Sequence, residues 1–168
     1  MNRDSWLGIH IQKASMGITS ESKAQDRGAY IIILRLEEDC KISIGKLGSL
    51  RFKRGYYVYI GSAKRGLSKR IEHHKRKRKK CFWHIDYLRK HTNFHADFPV
   101  RTSGDLECEI ASRLKNFADW TIPRFGCSDC QCETHLLATY SDPLLISSFL
   151  ETVSELSIGG IEKEIEIN

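Results

Sequence analysis

Apolar and polar positions change rhythm along this chain, from strand-like runs before Leu67 to helix-like spacing after it. Residues 28–36 carry Tyr30-Ile31-Ile32-Ile33-Leu34, apolar on both faces, which predicts a central strand. Glu37-Glu38-Asp39 supplies a turn. Lys41-Ile42-Ser43-Ile44-Gly45 then alternates with period two, as a half-buried strand does. Gly48 marks the next turn, and residues 50–61 read as a third strand with a bulge near Gly55. The expectation is a three-stranded antiparallel meander. Ahead of it, residues 1–27 form an extension in which Trp6 to Ile11 is a short edge strand or a tail.

From Leu67 the apolar and polar positions fit a helix, with Leu67, Arg70, Ile71 and His74 on neighbouring turns. Cys81-Phe82-Trp83 breaks that helix, and a second runs from about His84 to Lys90. Residues 94–101 read as a fourth strand. Leu106, Ile110 and Leu114 recur at i, i+4 and i+8 and predict an amphipathic helix. A loop rich in Pro, Gly and Cys follows over 122–132, then a short stretch over 134–140. Asp142-Pro143 is a helix-start pair, so 142–156 is predicted helical, with a frayed acidic tail over 158–168. These elements give an α+β fold, a small antiparallel sheet flanked by helices. The expected organisation is an extension over 1–27, one domain over 28–140, and a C-terminal helix and tail over 141–168 packed on or following it.

Charge changes this picture. The net charge of +6 hides a segment over 64–91 with twelve Lys/Arg against two acids, Glu72 and Asp86. Concentrated positive charge of this kind is the footprint of a phosphate-backbone partner. Lys64, Arg65, Lys69, Lys75, Arg76, Lys77, Arg78, Lys79 and Lys80 are the expected nucleic-acid contacts, with DNA favoured over RNA. The plain alternative is a solvated lysine-rich face, but six consecutive cations from Lys75 to Lys80 exceed what solubility requires. No apolar run approaches the roughly 20 residues that span a bilayer, and no export signal follows Met1, so a cytoplasmic location is expected.

Six cysteines, three of them within residues 127–132, are too local for a disulfide framework. Cys130, Cys132 and His135 form Cys-x-Cys-x-x-His, and Cys108 on the preceding helix is the candidate fourth ligand for zinc. The competing reading is that these cysteines are small core residues.

Phosphodiester hydrolysis needs a proton acceptor for water and a cation for the phosphoryl oxygens, usually with a metal. Arg70 suits the second task, because a guanidinium stays charged and contacts two oxygens at once. His74 lies one turn further on the same face. Tyr30 and Tyr59 each sit in a strand, where packing is the ordinary role. A phenol with pKa near 10 serves as a base only with help from a neighbour.

Gly28-Ala29-Tyr30, Tyr59-Ile60-Gly61 and the helical Arg70 together resemble the GIY-YIG nuclease family, and specifically a poorly characterised branch of small single-domain members. The resemblance runs over residues 28–140 and includes Trp83 to Leu88 and Phe125 to Cys130. It implies that Tyr30, Tyr59 and Arg70 are catalytic, with His74 at a polar position one turn later. It also implies a glutamate holding one Mg²⁺ or Mn²⁺: Glu107, with Glu109 as competitor. The segment between the tyrosine motifs is longer than usual, and Ser62 stands where a lysine often follows the second motif. The roles of His84 and Asp86 stay open. The function expected is a metal-dependent endonuclease. A non-catalytic nucleic-acid-binding module and a zinc-stabilised interaction protein are the alternatives.

Overall fold

The apolar run of β1 (Gly28–Leu36) is buried along almost its whole length, because the strand lies inside a sheet covered on both faces. The computed structural model describes residues 26–165, so the expected strand or tail over 6–11 lies outside the described residues. The architecture is α+β. Five antiparallel strands take the order β5-β1-β4-β7-β6: β5 is Asn93–Arg101, β4 Gly55–Ala63, β7 Leu136–Thr139 and β6 Trp120–Thr121. β5 tolerates Pro99 because it is an edge strand.

The expected meander is not what forms. β1 pairs directly with β4, Leu36 opposite Gly55 and Gly28 opposite Ala63. Between them, β2 (Cys40–Ser43) and β3 (Ser49–Phe52) make a separate two-stranded hairpin. The stretch expected as one strand over 50–61 is broken at Lys53-Arg54, where the Arg54 N–H donates to Asp39 Oδ1 at 2.7 Å. The hairpin contributes Ile42, Ile44 and Phe52 to the core instead of lengthening the sheet.

Helix α1 (Leu67–Lys75) is shorter than its basic sequence suggests. Its last carbonyls, His74 O and Lys75 O, accept from the buried Arg89 at 3.2 and 2.7 Å, so a guanidinium caps the helix C-terminus. Continuing the helix would stack like charges one turn apart, and Arg76 to Lys80 form a loop. This loop leads to α2 (His84–Arg89).

Alternate residues of β1 and β4 feed two cores. Tyr30, Ile32, Leu34, Tyr57 and Tyr59 pack with Leu67, Ile71, Ile85 and Leu88 on one face. Ile31, Ile33, Val58 and Ile60 pack on the other face with Ile110, Ala111 and Leu114 of α3 (Glu107–Leu114) and Phe149, Val153 and Leu156 of α4 (Ser147–Ile165). The C-terminal segment therefore closes one side of the same sheet. Asp142-Pro143 caps a 3₁₀ turn, Pro143–Leu145, rather than α4 itself. The backbone expected to fray after residue 158 is helical to Ile165.

Candidate active site

Strand register brings the two tyrosines together. Tyr30 lies opposite Gly61, and Ile32 opposite Tyr59, so both phenols rise from one face with ring centroids 6.2 Å apart. Gly61 is required there. A Cβ at that position would sit 2.4 Å from the Tyr30 hydroxyl oxygen, well inside contact distance. Gly126, at φ +75°, plays the same part for the second ring: its Cβ would lie 2.7 Å from Tyr59 Cε2. Each phenol thus rests against a glycine supplied by another segment.

Behind Tyr30 runs a buried polar chain. The Tyr30 hydroxyl is 3.0 Å from His74 Nε2, and His74 Nδ1 is 3.3 Å from Asp86 Oδ1. Asp86 is fully buried. Burial alone would raise its pKa. Hydrogen bonds from His74, Lys79 and the N–H groups of Phe82 and Trp83 outweigh that and hold the carboxyl far below the usual range. Burial lowers the His74 pKa, with Asp86 pulling it up and Lys79 and His73 pushing it down, so the ring is neutral at pH 7. An ionised carboxylate only accepts, so Nδ1 carries the proton and Nε2 accepts from the Tyr30 hydroxyl. Burial drives both phenol pKa values upward, while the Arg70 guanidinium pulls them back. Neither tyrosine is a phenolate at pH 7.

Tyr30 and Tyr59 open onto a cleft of about 280 Å³ that Arg70, Glu107, Trp83, His84 and Asp129 also line. The Arg70 guanidinium stacks over the Trp83 ring, 4.1 Å from its centroid. Glu107, first residue of α3, reaches the cleft. Glu109 points to solvent beside Arg113 and is not part of the lining. His84 Nδ1 accepts the Gly126 N–H at 3.2 Å, which leaves the proton of the neutral ring on Nε2. The structure therefore gathers Tyr30, Tyr59, Arg70 and Glu107 around one space, with His74 directly behind it.

The basic residues divide into two groups. Lys64, Arg65, Lys69, Arg76, Lys77, Arg78 and Lys80 are exposed. Lys75 is engaged with Glu72 at 3.0 Å and Asp97 at 3.1 Å. Lys79 turns inward: its ammonium lies 2.8 Å from Asp86 Oδ1 and donates to His73 O at 2.7 Å, with the side chain only 5% exposed. It is an internal counter-ion, unlike its neighbours in sequence. His73, His74 and Asp86 are close enough to suggest a metal site, but the Lys79 ammonium already neutralises that carboxylate. Phe82, 66% exposed at the rim of the cleft, lies under the Lys80 ammonium at 5.5 Å. Sequence reasoning left Asp86 open; the signal for it is that it is one of two acids, with Glu72, inside a strongly cationic segment.

Directly after Glu107 in α3 comes Cys108, and the ligand atoms of Cys108, Cys130, Cys132 and His135 all lie within 4.8 Å of one another. This thiol–imidazole cluster has the donors to hold a metal ion. Cys127 stands apart, its thiol donating to Glu133 O at 3.7 Å. Among the described residues no helix is long and apolar enough to cross a membrane.

Residues 29–158 match the family described as a domain of unknown function, DUF123. No curated protein and no solved structure matches the chain.

Proposed function

We propose that this chain, which belongs to the DUF123 family, is a metal-dependent endonuclease that hydrolyses phosphodiester bonds in DNA. The observation that carries the reading is the buried Asp86–His74–Tyr30 chain ending on a cleft that also holds Arg70 and Glu107. It answers the objection to a tyrosine base, because no phenolate has to form in the resting state.

A water against the Tyr30 oxygen loses its proton to that oxygen as the phenol passes its own proton to His74 Nε2. The O–H bond of water breaks, its oxygen attacks phosphorus, and the bond from phosphorus to the leaving oxygen breaks. His74 ends as an imidazolium facing the Asp86 carboxylate, which stabilises that charge and fixes the ring tautomer. Tyr59, beside Tyr30, orients the water. Arg70, held by its stack on Trp83, offers a fork of donors to the phosphoryl oxygens as negative charge builds. His84, with its proton on Nε2, offers a hydrogen bond to the leaving oxygen, which takes its proton from solvent water.

Glu107 and Asp129 are hard oxygen donors on the same cleft, which fits a Mg²⁺ or Mn²⁺ that keeps several waters and takes one or two carboxylates. When bound, such an ion supplies Lewis-acid stabilisation of the phosphoryl group and leaving oxygen. The cysteine–histidine cluster, with soft sulfur donors, suits zinc instead. The exposed cations of the 76–80 loop, with Phe82 among them, provide a binding track for the nucleic-acid backbone beside the cleft.

The test is incubation of pure protein with labelled plasmid, single-stranded and branched DNA in Mg²⁺, Mn²⁺ or EDTA. Metal-dependent cuts that EDTA abolishes are expected. Salt-sensitive binding without any cleavage would reduce the chain to a nucleic-acid-binding module.

A further inference from the structure

The sulfur and nitrogen donors of the cysteine–histidine cluster are spaced for one ion. His135 Nε2 lies 3.5 Å from Cys130 Sγ and 3.8 Å from Cys108 Sγ. A tetrahedral zinc with Zn–S of about 2.3 Å and Zn–N of about 2.05 Å places such donors about 3.6 Å apart. The imidazole is completely buried, yet its Nε2 faces only thiols and its Nδ1 has no hydrogen-bond partner. Thiols are weak hydrogen-bond partners, and a metal bound at Nε2, with the ring proton on Nδ1, gives the thiol-facing nitrogen of this buried ring a strong partner. Three thiolates and one imidazole fill a closed tetrahedral shell, the arrangement of a structural rather than a catalytic zinc.

The ligands come from segments that also build the cleft. Cys108 follows Glu107 at the start of α3. Cys130 and Cys132 lie on the loop that carries Gly126 and Asp129 to the cleft. The carbonyl of His135 accepts the Ile60 N–H at 3.0 Å, between Tyr59 and Gly61. A Cβ on Gly126 would meet both the Tyr59 ring and, at 3.3 Å, His135 Cβ, so these parts already touch. The loop doubles back through Arg124 N–H to Glu133 O at 2.7 Å and His135 N–H to Phe125 O at 2.8 Å.

We propose that Cys108, Cys130, Cys132 and His135 bind one zinc ion that clamps the start of α3 to the 126–135 loop and thereby fixes Glu107 and the Gly126–Asp129 side of the cleft. The ion itself stands independently of the nuclease reading; only the significance of fixing Glu107 rests on it.

The experiment uses the full chain. Elemental analysis should find one zinc per chain that survives dialysis, and cobalt(II) exchange should give tetrahedral d–d bands with thiolate-to-metal charge transfer. Cys108→Ser and Cys132→Ser should lose the ion, whereas Cys127→Ser should keep it. Stripping the zinc should lower Tm by about 10 °C and speed amide exchange over 107–110 and 126–135 about tenfold, leaving β1 unchanged. Zinc-free protein, an octahedral cobalt spectrum, or loss of the ion in Cys127→Ser but not in Cys108→Ser would overturn the site. Unaltered exchange at 107–110 after stripping would overturn the clamp. If the serine variants do not fold, metal content and the cobalt spectrum of the natural chain decide alone. None of these readouts needs cleavage, so a chain that binds zinc but cuts nothing would refute the nuclease reading and leave this one standing.

Discussion

On one face of the sheet Tyr30 and Tyr59 meet His74, with Asp86 and Lys79 behind it; on the other, Ile31, Val58 and Ile60 meet Ile110, Phe149 and Val153. The same two strands supply both, one residue apart. The apolar face gains its stability from area removed from water and tolerates imprecision. The polar face cannot, since a buried carboxylate is costly unless every lone pair has a partner. Asp86 has them in His74, Lys79 and two backbone N–H groups. The difference teaches that the back of the sheet supplies rigidity, against which the front holds a fully partnered set of charges in one arrangement.

Substitutions can break that division. The largest effect is expected for Arg70→Lys, which exchanges a bidentate fork for a point charge: cleavage should fall on the order of 10³-fold with DNA binding mostly kept. Wild-type cleavage by this variant in a single-turnover assay would remove Arg70 from the site. Ile31→Ala, one residue from Tyr30 but on the opposite face, should cost about 2–5 kcal/mol in denaturant unfolding. Its cleavage rate per folded molecule should not change. A rate loss there would mean the faces are not separable.

The pH response sharpens the same contrast. His74 has its pKa lowered from the ordinary value of 6.5. Below that value the unfolded chain takes up a proton that the folded one refuses, so stability falls as pH drops from about 6.5 toward the folded pKa. Cleavage, which needs the neutral ring, should stay level down to pH about 6.5 and decline only below it. A midpoint above 6.5 in the pH–rate profile would contradict a neutral His74 acting as the base.

A smaller effect concerns the cationic loop. Lys77, Arg78 and Lys80 changed together to Ala should flatten the salt dependence of DNA binding by up to about three units. Lys79→Ala should leave the slope alone and lower stability, because it strips Asp86 of a partner. Equal flattening by Lys79→Ala would place that side chain on the DNA rather than in the core.

Much of this arrangement was legible in the residues themselves. The apolar run Ile31 to Leu34 announced β1, and the i, i+4, i+8 spacing announced α3 with Glu107 at its start. The separate hairpin was not legible, because period-two alternation says that Ile42 and Ile44 are half-buried but not which strand or core receives them. Lys79 looks identical to Lys77 in a run of six cations. Only the fold reveals that the loop turns this one ammonium toward Asp86. The Tyr30–His74–Asp86 chain joins residues 44 and 12 positions apart, a contact that no local period encodes.

The claim that one face performs chemistry while the other supplies stability is tested most directly by Tyr30→Phe in single-turnover cleavage, with the unfolding midpoint measured on the same sample. The phenyl ring still fills the space over Gly61, and only the hydroxyl that links water to His74 is lost. The account predicts a cleavage rate lower by at least about a hundredfold at nearly unchanged DNA affinity, with stability lower by only about 1–3 kcal/mol because buried His74 Nε2 loses its donor. Undiminished cleavage by folded Tyr30→Phe would contradict it and return Tyr30 to strand packing.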